Sequence, residues 1–364
     1  MNMQQPPFPP DFERVRTTLL RQGQPDHVPM VEFTVWSGHK TRVLGHPLRG
    51  IADEIEFAQR VGYDHVPFNV GLQMDPTFNA ALESRHYAVD AQDDKGATGE
   101  TVERRWAVST SGVIRSHADF EAFPWPDPDA FDYTPLAEAA KLLPGNMRII
   151  VQIGKVFNPV WWLMGFEAFS FALYDDPDLV ARMCERIGRI QKRTLERSLE
   201  YASVGAYLHA DDLAFNTGLL VARPVLQQYV YPWFRRMAEM THQAGRLALF
   251  HSDGNLDTVL DDLIDLGYDA VHPIDPAAMD IVRTKERVRG RLGLLGNIDL
   301  RHTLPLGTPE EVEDEVAERI RVLAPGGGWC LSSANSIPDY VPFANYVAMQ
   351  GAWLKYGEYP IRVA

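Results

Sequence analysis

The chain has 364 residues, 45% of them hydrophobic, enough for a sizeable core in one large α/β barrel with an insertion or in two domains. A formal net charge of −14 argues against a binder of nucleic-acid backbones. No apolar run reaches the roughly 18 residues of a membrane span, and two cysteines, Cys184 and Cys330, are too few for a disulfide framework or a cysteine-only zinc site.

The start, Met1 to Pro10, lacks the basic and apolar regions of a secretory signal, so a loose N-terminal arm and a cytoplasmic protein are expected. Asp11 to Gln22 reads as a short N-terminal helical extension, with Phe12, Val15 and Leu19 on one face. Val28 to Phe33 follows as a first strand, Ile51 to Val61 as a helix, and Asp64 to Phe68 as a second strand. Between Ser84 and Ser116 the pattern changes to period-two alternation, clearest from Thr101 to Val108. That predicts an inserted antiparallel hairpin outside the parallel strands, with Ser111-Gly112 at a turn. Phe123 to Pro128 is a Pro-rich connector leading back.

Strands resume at Arg148 to Gln152, Ala206 to His209, Arg246 to Phe250, Asp269 to His272, Arg291 to Leu295 and Trp329 to Ser332. Helices lie between them, among them Pro177 to about Val204, and Pro309 to Leu323, which puts Val312, Val316, Ile320 and Leu323 on one face. Eight strands alternating with helices is the number that closes a (β/α)8 TIM barrel. A single such domain is expected over residues 1–364, with 1–10 as the arm and 84–116 as the hairpin insertion. A doubly wound open sheet is the rival, weakened because no Gly-x-Gly-x-x-Gly follows the first strand.

Chemistry in such barrels sits just past the strand ends. The run Leu247 to Phe250 ends in His251-Ser252-Asp253-Gly254-Asn255, and a helix follows with Leu256, Val259, Leu260, Leu263 and Ile264 on one face. A His and an Asp two apart at the exit of a buried strand are poor core material and suit the mouth. Other exits carry Glu32 and Trp36; Asn69 and Gln73; Lys155 and Asn158; His209, Asp211 and Asp212. The series continues with His272 and Asp275; Asn297 and Asp299; Ser332, Ser333 and Asn335. Singly, Asp211, Asp212 and Asp299 read best as helix caps and His272 as a satisfied core histidine. Their convergence on one rim points to an active site.

Phe250-His-Ser-Asp-Gly-Asn255, Ile264-Asp-Leu-Gly-Tyr-Asp-Ala-Val-His-Pro-Ile274, Gly293-Leu-Leu-Gly-Asn-Ile-Asp299 and Gly326-Gly-Gly-Trp-Cys-Leu-Ser-Ser-Ala-Asn-Ser-Ile337 resemble the uroporphyrinogen decarboxylase superfamily, and Val341 to Met349 continues the match. The resemblance covers residues 200 to 350 strongly and the N-terminal half weakly. Members that decarboxylate uroporphyrinogen III carry an N-terminal arginine pair, an Asp after an early strand and a Gly-His-Gly loop. Here those places read Val31-Glu-Phe-Thr-Val-Trp-Ser-Gly38, Asn69 and Ala334-Asn335-Ser336. The other branch resembles methylcobalamin:coenzyme M methyltransferase and binds zinc through His-x-Cys and a distant Cys. His251 matches the His, while Asp253 and Asn335 take the cysteine positions, a harder donor set suited to a substrate oxygen.

The resemblance implies a methyltransferase or demethylase that moves a methyl group between a small methylated or methoxylated substrate and a corrinoid protein or cofactor. His251, Asp253, Asp212 and Glu32 are the expected catalytic or shell residues, and His251, Asp253 and Asp212 the ligands of a zinc ion. Trp36, Asn69, Lys155, Trp161, His209 and Asn335 are expected to bind substrate, with Trp162 as a further wall. A decarboxylase of uroporphyrinogen or another aromatic acid is one alternative, with only Lys155 and Arg223 as cations. A non-catalytic ligand-binding barrel is the other. These features admit a homodimer and imply neither a nucleic-acid nor a membrane partner.

Overall fold

The computed structural model describes residues 3–82, 84–93, 96–107 and 112–362. In chain order the strands are β1 (His65–Asn69), β2 (Ser84–Asp93), β3 (Gly96–Ala107), β4 (Arg148–Gln152), β5 (Val204–Ala210) and β6 (Ala214–Phe215). They continue as β7 (Gly218–Leu219), β8 (Leu247–His251), β9 (Ala270–His272), β10 (Gly293–Leu295) and β11 (Trp329–Cys330). Seven form one parallel sheet in the order β1-β4-β5-β8-β9-β10-β11. Helices such as Pro177–Leu199, Tyr231–Gln243 and Pro309–Leu323 connect neighbours, the crossover that parallel pairing demands, and Ile51–Val61 leads into β1. β2 and β3 pair antiparallel in a separate sheet. Ser111, expected at a turn, lies outside the described residues.

Strand parity divides the core in two. Ile150, Ala206, Leu208, Leu247, Leu249, Ala270, Leu295 and Cys330 pack together on one face, joined by Val31 and Phe33. Ile149, Val151, Tyr207, Ala248, Phe250, Val271, Leu294 and Trp329 face the helix layer. Phe12, Val15 and Leu19 of the N-terminal helix join the first set. Phe12 sits where a side chain on Gly205, near the start of β5, would strike it. The helix (Glu13–Leu19) thus plugs the end where the strands begin, leaving the opposite end for a site. Ahead of it, Gln4 and Gln350 bond each other twice, and Phe8 lies edge-on to Trp353 beneath the Arg14 guanidinium.

The expected first strand is the exception. Residues 28–35 do not join the ladder; they touch the β11 end through isolated parallel bridges, Met30–Leu331 and Val35–Ile337. Pro29 has no N–H to give, and on the other side the contacts come from side chains: His65 Nε2 to the Glu32 carbonyl, and Gln152 Nε2 to the Phe33 carbonyl. One segment therefore reaches both β11 and β1–β4, so the seven strands must curl. The eight-strand sheet is corrected to seven strands and a bridging segment.

Local sequence explains the helix ends. Thr308 and Glu311 form a reciprocal capping box ahead of Pro309–Leu323, and Val312, Val316, Ile320 and Leu323 are all buried. Among the described residues no helix is long and apolar enough to cross a membrane. Both cysteines are free and buried.

Phe234, fully buried on Tyr231–Gln243, lies 4.2 Å from the His209 ring and 5.5 Å from Phe250. Phe234→Ala should lower the unfolding free energy by about 3–5 kcal/mol in a urea titration. A loss below about 1 kcal/mol would contradict this packing.

Candidate active site

Register brings the key side chains together. Ala210 on β5 pairs with His251 on β8, which pairs with His272 on β9. The chain turns out of each strand there, setting Asp212 and Asp253 together at the Nε2 edge of the His251 ring. His251 Nε2 lies 3.8 Å from Asp212 Oδ1 and 3.8 Å from Asp253 Oδ1. The backbone N–H of Asp253 donates to Asp212 Oδ1 at 3.3 Å, tying the loops together. On the far side of the ring, His251 Nδ1 is 2.7 Å from His272 Nδ1.

Neighbours hold both carboxylates. Lys155 Nζ donates to Asp212 Oδ2 at 3.2 Å and to Asn158 Oδ1 at 3.1 Å, and lies 5.3 Å from the Trp162 ring centroid. Its backbone has φ 38°, a left-handed conformation that costs a non-glycine residue about 1–2 kcal/mol. Gln191, bonded to its carbonyl, helps hold it there. Asn335 Nδ2 donates to both oxygens of Asp253, at 2.9 and 2.8 Å. Burial alone would raise the Asp212 carboxyl, but Lys155 and His251 outweigh it and hold it below the ordinary range. Burial, followed by repulsion from Asp212, outweighs the pull of His251 and raises Asp253. The two carboxyls are thus pushed in opposite directions.

The cluster opens on a cavity of about 1040 Å³. Asp253 and Asp212 line it, with 47% and 35% of their side chains exposed; His251, 15% exposed, does not. Trp161, Trp162, Phe166 and Leu220 are apolar walls, and the β6–β7 hairpin forms a lip with Phe215 and Asn216. Gly254 (φ +84°) lets this lip approach: a Cβ there would meet the Ala214 carbonyl at 2.4 Å, and Asn255 N–H donates to the Phe215 carbonyl at 2.9 Å. At the rim Arg301 lies 3.7 Å from Asp275.

Of the residues expected at the site, His251, Asp253, Asp212, Lys155 and Asn335 come together, and Trp161 lines the cavity above them. Asn69 is exposed at the end of β1 behind Gln73, which does line it. Trp36 precedes the helix Ser37–Leu44 and is not among the lining residues. His209 is fully buried in the helix layer, bonded through Nδ1 to the Tyr268 hydroxyl, and cannot reach a ligand. Glu32 is buried against Ser333 and does not touch the cavity. Asp211 is a cap, taking the backbone N–H groups of Val156, Phe157 and Asn158 at the start of Phe157–Met164. Arg223, the other expected cation, is clasped by Asp262 on the helix layer.

Arg301, Phe215 and Asn216 were not singled out from sequence. The signal for the last two was an aromatic and an amide in an extended loop after β5. Arg301 carried none, because it acts from a turn ordered by Asp299, which accepts its backbone N–H.

Chemically the cluster offers one imidazole nitrogen and two carboxylate oxygens, all within 4.8 Å of one another. That donor set fits a divalent ion of the zinc class. A second group, His46, Asp53 and Glu56, is similarly compact, but Arg49 already holds both oxygens of Asp53.

The fold and these strand-end motifs define a class. The family model for uroporphyrinogen decarboxylase (URO-D) matches residues 96–356, and the chain belongs to that family. Among solved structures it is similar to a methyltransferase from Methanosarcina mazei, with 16% identity, a TM-score of 0.68, and coverage of 94% of this chain and 98% of that one. A complex of xylanase XynB from Paenibacillus barcinonensis with a conduramine derivative aligns at TM-score 0.39 and 8% identity, over 62% of this chain and 83% of that one, too distant to carry an argument. No curated protein matches the chain.

Burial raises the Glu32 carboxyl to about 7, against the donors Ser333 and Ser332 that lower it. A folded-state value above the unfolded one means the native state binds the extra proton, so stability falls as pH rises through this window. Between about pH 4.5 and 7, wild type should lose on the order of 3 kcal/mol more unfolding free energy than Glu32→Gln. Parallel pH profiles for the two proteins would show that Glu32 ionises freely when folded.

Proposed function

We propose that this URO-D family member is a methyltransferase, with residues 28–35 completing a (β/α)8 barrel around its site. It moves a methyl group between a small methylated or methoxylated compound and a corrinoid carried by a partner protein. The observation that carries this reading is the His251–Asp212–Asp253 cluster beneath an aromatic-walled cavity. Such a cavity takes up a compact, largely apolar molecule and presents its one polar atom to the cluster. The methyltransferase fold of the Methanosarcina mazei protein supports the same branch.

His251, Asp212 and Asp253 would hold the metal ion; zinc supplies Lewis acidity toward a substrate oxygen. The chain's own residues do the rest. Trp161, Trp162 and Phe166 exclude water and orient the methyl-bearing group. Lys155 keeps Asp212 ionised and therefore able to bind a cation, and Asn335 fixes the Asp253 carboxylate.

Charge at the mouth argues against uroporphyrinogen. Asp212, Asp253 and Asp275 face the cavity, against Arg301 at the rim and Lys155, which is already paired to Asp212. Eight substrate carboxylates would meet more acids than cations, and each one left unpaired costs several kcal/mol in desolvation by order of magnitude. Arg301 does favour a second reading, decarboxylation of an aromatic acid bearing one carboxylate.

Protein purified without chelator should contain about one zinc per chain by elemental analysis. His251→Ala should lose it while the far-UV spectrum stays native. A metal-free wild type would remove the metal from this reading.

Incubated with a panel of methoxylated and methylated compounds and a reduced corrinoid, the protein should release a demethylated product, and His251→Ala should not. Uroporphyrinogen III should show no turnover; its conversion to coproporphyrinogen at an ordinary enzymatic rate would overturn the branch assignment.

A further inference from the structure

We infer that Arg301 binds a substrate carboxylate at the mouth, so that the cavity selects a compound carrying one anionic group at the end away from His251, Asp212 and Asp253. Arg301 lines the same cavity as the two aspartates, and among the described lining residues it is the sole Lys or Arg. Its own neighbours, Asn216 on the lip and Asp275 after β9, also line the cavity, and neither belongs to the cluster.

This guanidinium is under-used. Arg223 meets both oxygens of Asp262 through two nitrogens, and Arg49 meets both oxygens of Asp53 in the same way. Arg301 makes no such fork with protein: Asp275 Oδ2 lies 3.7 Å away, beyond hydrogen-bond reach. Asp275 is engaged elsewhere, its Oδ1 accepting the Ala277 N–H at 2.8 Å. With the Asn216 amide turned to donate to Asp275 Oδ2 at 3.3 Å, its oxygen accepts from Arg301 Nη2 at 2.6 Å. That uses one of the five N–H groups a guanidinium offers. The side chain is 53% exposed, and no other bond to its guanidinium forms among the described residues.

The backbone beneath it is anchored. Asp299 accepts the Arg301 N–H at 2.7 Å, and Glu315 Oε1 accepts the Asp299 N–H at 3.1 Å. A cation on a fixed turn with open donors loses little freedom when a ligand arrives. The cavity, at about 1040 Å³, is far larger than a one-carbon compound fills, and its Trp161, Trp162 and Phe166 walls suit an aromatic body. One guanidinium matches one carboxylate, taken through two parallel N–H bonds. A second anionic group would face Asp212, Asp253 or Asp275. The carboxylate is therefore a handle, and the methoxy end is left for the cluster.

That the bound acid donates its methyl group rests on the methyltransferase reading; its capture by Arg301 does not, and is measured without turnover. Titration calorimetry of the purified protein with para-methoxybenzoate and its neutral amide should show wild type binding the acid at least about 10-fold more tightly. Arg301→Gln should weaken the acid by about 10-fold or more and the amide by less than about threefold, removing the preference. Asp275→Asn, which deletes the competing carboxylate and leaves Arg301 in place, should strengthen the acid about threefold. No binding of the acid by wild type, equal binding of acid and amide, or a preference that survives Arg301→Gln would overturn the proposal. Equal loss of acid and amide in Arg301→Gln would make Arg301 a structural clasp for the lip and would overturn it as well. In a separate arm with a reduced corrinoid, an acid held through Arg301 but never demethylated would count against the methyltransferase reading alone and leave the carboxylate site standing.

Discussion

Ala210, His251 and His272 stand side by side because β5, β8 and β9 pair in parallel and end level with one another. Everything at the candidate site is placed relative to that row. The turn after β5 delivers Asp212, and the turn after β8 delivers Asp253, to the Nε2 edge of the His251 ring. β9 backs the ring with His272, and the segment after β11 brings Asn335 and Ser332 within reach. A slip of one residue in any of these pairings would exchange the inner and outer faces of that strand and dismantle the group.

The same parity explains what the sequence could and could not disclose. Seven parallel strands were legible because each is a short, mostly apolar run followed by polar residues. Residues 28–35 looked alike in composition but contain Pro29, and they are held by bridges and side-chain bonds in place of a ladder. His209 and Glu32 were read as mouth residues because they lie near strand exits. His209, however, is opposite Phe250 in the ladder, and Phe250 faces the helices. Glu32 falls between Val31 and Phe33, which face the interior, and so points the other way. Counting from the aliphatic residues of each strand separates His251 from His209. Distance from the strand end alone does not.

The acids divide by environment, and composition gives no hint of it. Asp211 and Asp212 are adjacent in sequence, yet one is sealed beneath a helix start and the other borders the cavity beside Lys155. A carboxylate taking three backbone N–H groups has no spare reach for a ligand. A carboxylate paired to one flexible ammonium keeps an oxygen free. Two neighbouring residues of the same type thus serve scaffold and site.

Glu32 and Ser333 are 301 positions apart, and their contact joins the segment ahead of β1 to the segment after β11. At a synthesis rate of about 5–20 residues per second, roughly 15 to 60 seconds separate the two residues leaving the ribosome. Through that interval residues 28–35 have no partner at the β11 side, and Glu32 stays hydrated. The curled sheet can build outward from β1 strand by strand, but the carboxylate goes into the dry only once the final strand has arrived. Burial of the Glu32 carboxylate thereby waits on the segment after β11.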